Sequence, residues 1–101
     1  MFALVVRFDL KDARSAEAFD ELVATTGAGI RTSEPGTLVY ATHVVHDEPL
    51  ARVFYELYRD REAFEEHERQ PHVQHFLAQR DRYVASTRVE FLTPGPSKGI
   101  G

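Results

Sequence analysis

The sequence predicts an α+β fold of the ferredoxin-like kind, a βαββαβ chain whose strands form one antiparallel sheet with the helices on one face. Three observations predict it. Stretches of strand-like alternation occur near Phe2–Leu10, Thr37–Val45, Arg52–Tyr58 and Thr87–Leu92, each about the length of an ordinary strand. Helical spacing fills the gaps after the first and third of these. The second and third are joined by a short polar segment, as in a hairpin.

The first strand places Phe2, Leu4, Val6 and Phe8 on one face and Ala3, Val5, Arg7 and Asp9 on the other, because side chains alternate along a strand. Asp12 or Ser15 then offers a cap to the free amides of a helix start, and Phe19, Leu22, Val23 and Thr26 follow at helical spacing. This helix is expected to run about four turns and to end at Gly27 and Gly29. Gly27-Ala28-Gly29 lacks the third glycine of a dinucleotide loop and closes a helix rather than opening one, so no phosphate cradle is expected. Glu34-Pro35-Gly36 reads as a turn in which proline fixes one dihedral and glycine supplies a positive one.

The second strand, Thr37–Val45, should be broken by His46-Asp47-Glu48-Pro49, with Arg52–Tyr58 returning antiparallel to it. Asp60 caps a short helix that turns Ala63, Phe64 and His67 inward and leaves Glu65, Glu66, Glu68 and Arg69 in water. Pro71 restarts a helix at its first turn, along which His72, Val73, Phe76, Leu77, Arg80, Tyr83 and Val84 make the inward stripe. The domain is expected to span residues 1–93. Residues 94–101, PGPSKGIG from Pro94, are too rich in glycine and proline to hold a shape and form a tail.

Composition limits the partners. The 101 residues are 43% hydrophobic and 28% charged, in the range of one small globular domain. The net charge of −4, from 16 acidic and 12 basic residues without a basic block, argues against nucleic acid. No apolar run approaches the roughly 20 residues that cross a bilayer, and the first ten residues do not make a signal peptide, so no membrane partner and a cytoplasmic location are expected. Absent cysteines exclude thiolate metal sites. His67, His72 and His75 have a spacing that fits no standard helical metal pair, and no metal is expected. Both faces of the first and third strands are apolar, and a small domain does not leave such a face wet, so a symmetric homodimer stacking sheet on sheet is expected.

The turn Glu34-Pro35-Gly36 leading to Leu38 and Tyr40, the run Tyr55-Glu56-Leu57-Tyr58, and Ala63, His67, Pro71 and His72 together resemble the antibiotic-biosynthesis monooxygenase superfamily. The likeness extends roughly from Met1 to Leu92. Tyr58 stands where many members carry tryptophan. The resemblance implies a dimeric α/β barrel and a cofactor-independent monooxygenase that uses O2 on a quinol or polycyclic aromatic substrate, without metal, flavin or haem. It also leaves open an isomerase or lyase acting on a small carbonyl compound, and a ligand-binding dimer without catalysis. The Asn, Trp and His of the haem-degrading branch would fall near Val5, His67 and Leu77, and none matches.

A phenol becomes a better one-electron donor to oxygen once deprotonated, so such a site needs a base, an orientation and a dry cavity. His67 and His72 are the candidate bases because imidazole exchanges a proton near neutrality. Glu56 is the candidate that orients one of them. Tyr40, Tyr58, Phe64 and Phe76 are the expected aromatic walls of the pocket.

Overall fold

In the computed structural model, which describes residues 1–100, four strands form one antiparallel sheet in the order β2-β3-β1-β4. The strands are β1 (Phe2–Leu10), β2 (Thr37–Val45), β3 (Glu48–Tyr58) and β4 (Val84–Leu92). The helices are α1 (Ala13–Ser33), α2 (Arg61–Arg69) and α3 (Pro71–Gln79), with a 3₁₀ turn over Arg80–Arg82. This is the ferredoxin-like topology that the alternation predicted.

The register separates the two sheet faces. Leu4 lies opposite Glu56 and Phe91, and Val6 lies opposite Phe54 and Val89, all facing the helices. Ala3 lies opposite Leu57, and Val5 opposite Tyr55, on the other face. Under the helices Phe8, Phe19, Phe54 and Phe76 form an aromatic cluster, with Phe8 centred 5.2 Å from Phe19 and 5.0 Å from Phe54. Phe19 and Phe76 meet edge to face at 5.8 Å. Such pairs add about 0.5–1.5 kcal/mol each beyond the area they bury.

Capping follows the sequence. Asp12 accepts from the Ser15 amide at 2.7 Å, and Asp60 accepts from the Ala63 amide at 2.8 Å. Pro71 occupies the first turn of α3, where its missing N–H costs nothing.

Four expectations are corrected. The first helix does not stop at Gly27 and Gly29 but continues to Ser33. Gly29 serves an interhelical contact instead, since a Cβ there would lie 2.5 Å from Cγ of the His72 ring. The helix ends where Pro35 disfavours helical backbone at Glu34, whose φ of −128° and ψ of 75° leave the helical region. Gly36 does not adopt a positive φ; it lets the turn touch α2, because its Cβ would meet that of Ala63 at 2.7 Å.

The hairpin turn is shorter than expected. Only His46 and Asp47 leave the ladder, with Asp47 at φ 63°, and β3 already starts at Glu48. Pro49 is tolerated because the pairing with β1 begins only at Ala51. At the other end Val84 belongs to β4 rather than to a helical stripe, because the 3₁₀ turn redirects the chain. Residues 93–100 carry neither helix nor strand, and Gly101 of the expected tail lies outside the described residues. No helix among the described residues is long and apolar enough to cross a membrane.

Candidate functional site

The inward face of α2 delivers His67 into the protein, because Ala63, one turn earlier, packs into the core beside it. The imidazole meets a carboxylate there. Nδ1 of His67 lies 2.6 Å from Oε1 of Glu34, the residue at which α1 ends. His72, on the first turn of α3, places Nε2 2.5 Å from Oε2 of the same carboxylate. The Thr37 hydroxyl donates to Oε1 at 2.7 Å. One buried side chain thus joins the α1–β2 turn, α2 and α3.

This set of partners fixes the protons. Burial alone would push the Glu34 carboxyl up, but the hydrogen bonds from His67, Thr37 and His72 outweigh it and hold the group below the usual carboxylate range. An ionised carboxylate only accepts, so Nδ1 of His67 and Nε2 of His72 are the donors. In a neutral ring the free lone pair of His67 is therefore on Nε2. That atom is turned toward Oε1 of Glu56, 3.7 Å away and too far for a hydrogen bond.

Glu56, buried on β3, behaves in the opposite way to Glu34. Burial raises its pKa, and the hydrogen bond from the Tyr58 hydroxyl, at 2.5 Å, offsets this only in part. Burial likewise pushes the Tyr40 and Tyr58 phenols far up, with the Glu56 charge adding to the effect, so both remain protonated.

Beside this network lies a cavity of about 200 Å³ between the sheet and helices. Tyr40, Phe64, Phe76, Glu56 and His67 line it, together with Leu4, Val6, Phe8, Phe54, Val89 and Phe91. A second, more polar cavity of about 310 Å³ lies on the far side of His67, bounded by Glu34, Thr37, Arg59, Glu62 and Gln70. His67 is the one side chain common to both walls.

Two expected pocket residues are placed elsewhere. Tyr58 lines neither cavity; it is fully buried and donates a hydrogen bond to Glu56. His72 also lines neither, because its ring is drawn to Glu34 and packed against the bare backbone of Gly29. The residue that sequence reading missed is Glu34. In the sequence it reads only as part of the Glu34-Pro35-Gly36 turn, although two inward histidines each require an acceptor and Glu34 opens that turn. No group of three or more His, Asp or Glu among the described residues has the geometry of a metal site.

The strand order and the histidine–carboxylate pair beside an apolar cavity define a ferredoxin-like α+β protein with room for a small molecule under its helices. The chain belongs to the antibiotic biosynthesis monooxygenase family, whose model matches residues 1–79. Among solved structures it is similar to protein SO0527 from Shewanella oneidensis, at 30% identity and a TM-score of 0.82, over 90% of this chain and 87% of that one. It is also similar to Rv0793 from Mycobacterium tuberculosis, at 26% identity and a TM-score of 0.86, over 95% and 96%. PA3566 from Pseudomonas aeruginosa shares the fold at 21% identity and a TM-score of 0.85, over 94% of both chains. No curated protein matches the chain significantly.

Proposed function

We propose that this protein is a cofactor-independent monooxygenase acting on a compact quinol, with His67 as the base and Glu34 as the group that orients it. The observation that carries this reading is the Nδ1 contact of His67 with Glu34, which leaves Nε2 as the accepting nitrogen of a residue on the cavity wall. The imidazolium formed on proton uptake is stabilised by the same carboxylate. The volume of about 200 Å³ is below the range of roughly 300–1,000 Å³ typical of drug-sized ligand sites, which favours one or two rings over a larger polycycle.

The reaction balances with the substrate as the source of all electrons. His67 takes the hydroxyl proton, and the electron-rich anion reduces O2 and combines with it at a ring carbon that carries two hydrogens in the keto tautomer. One oxygen atom stays as a new carbonyl, and the other leaves as water with those two hydrogens. The buried Phe8, Phe54 and Phe76 close the inner side of the cavity against water around the anion and the peroxide.

The test is oxygen uptake with 1,4-dihydroxynaphthalene, whose product under this scheme is 2-hydroxy-1,4-naphthoquinone labelled from isotopic dioxygen. Uptake should exceed the spontaneous rate, and His67→Phe should lower turnover about a hundredfold or more while the protein remains folded. Uptake no faster than the spontaneous rate, or a product without label, overturns the reading.

We further infer that the working unit is a homodimer. The sheet face away from the helices presents Val5, Val39, Ala41, Val53 and Tyr55 around the buried Ala3 and Leu57, with Arg7, Arg88 and Glu90 grouped on the side of β4. A contiguous apolar patch flanked by charged side chains is suited to a protein interface.

A further inference from the structure

The cavity wall carries one cation that the proposed reaction does not use. Arg80, at the C-terminal end of α3, is the only lysine or arginine lining the apolar cavity. Its side chain is 31% exposed, so it stands at the opening. Its ion-pair partner among the described residues is its own chain neighbour Asp81, whose oxygen is 3.8 Å from Nε, beyond hydrogen-bonding distance, on a side chain 89% exposed.

Other arginines of this protein are held differently. Arg52 grips Asp20 through two parallel bonds of 2.9 and 3.0 Å, and Arg7 reaches Asp9 and Glu48 at 3.1 and 3.0 Å. The Arg80 guanidinium therefore keeps its donors at the mouth of an aromatic-lined cavity. A guanidinium fork matches a carboxylate in shape and charge. Of the carboxylates on the same wall, Glu68 is exposed, and Glu56 is engaged by Tyr58.

We propose that the ligand of this cavity is a compact aromatic acid, a hydroxyarene of one or two rings whose carboxylate docks on Arg80 while its hydroxyl faces Nε2 of His67. The placement of the hydroxyl rests on the function proposed above; the choice of an anion rests on Arg80 alone. One ligand of this size can touch both residues, because they line the same small cavity.

Calorimetric titration with 6-hydroxy-2-naphthoate and with its neutral isostere 6-hydroxy-2-naphthamide tests the inference without requiring turnover. The acid should bind the wild-type protein about tenfold tighter or more, the difference expected of one charge-assisted bond at a half-exposed site. Arg80→Gln should erase that preference while changing the amide's affinity less than about twofold, so that amide binding reports an intact fold; Arg80→Lys should retain part of it. Equal affinities in the wild type, a preference surviving in Arg80→Gln, or binding of neither compound overturns the inference. A preference for the acid without oxygen uptake from any hydroxyarene would refute the proposed reaction and leave this inference standing. Uptake with equal affinities would do the reverse.

Discussion

At the scale of single residues, the two buried glutamates respond to pH in opposite senses. In the fold Glu34 titrates below its ordinary value, so the unfolded chain binds more protons there, and stability rises with pH through that range. Its contribution is full above the ordinary carboxylate pKa and is lost as pH falls through the depressed folded value. Glu56, raised by burial, contributes fully below the ordinary value and less as pH rises through its folded one. Glu34→Gln should therefore cost about 1–3 kcal/mol at neutral pH, a gap that narrows in acid, since charged hydrogen bonds are weakened. Glu56→Gln should melt at or above the wild-type temperature at neutral pH. The amide oxygen still accepts from Tyr58, and no charge is buried. Thermal melts across a pH series check both, and a neutral-pH loss in Glu56→Gln would contradict the account.

At the scale of elements, α1 and α3 approach each other only because Gly29 has no side chain. Gly29→Ala must push the His72 ring off Glu34 or part the helices, and should cost about 1–3 kcal/mol in urea unfolding. Adding His72→Ala should recover part of the loss, as a double-mutant cycle would show. The same contact explains what sequence reading reached and what it did not. Alternation in β1 and the caps at Asp12 and Asp60 were legible because each depends on neighbours within one element. The extension of α1 past two glycines was not, because the compensation comes from a ring 43 positions further along the chain, His72 against Gly29. His67 was legible as an inward histidine, whereas its partner Glu34 lies 33 positions away. Tyr58 is an expected pocket wall as an aromatic standing where many members of the family carry tryptophan. Its hydroxyl instead closes on Glu56, two residues back on the same face of β3.

At the scale of the whole molecule, the helix-free sheet face predicts the oligomer. Wild-type protein should sediment as a dimer at micromolar concentration, and Tyr55→Asp, at the apolar centre of that face, should give a monomer or an aggregate. A well-folded wild-type monomer in analytical ultracentrifugation would refute the dimer. A different consequence follows from the way three segments of the chain meet on one carboxylate. Under the function proposed above, Glu34 would be under two demands, holding the fold and setting the proton on His67. A variant library sorted only for protease resistance should retain glutamate at position 34 as strongly as one sorted for oxygen uptake. Position 67 should separate the two sorts: phenylalanine passes the first, since Glu34 keeps its bonds from Thr37 and His72, and fails the second. The history of substitution at these two sites would therefore record different pressures, even though their side chains are in contact.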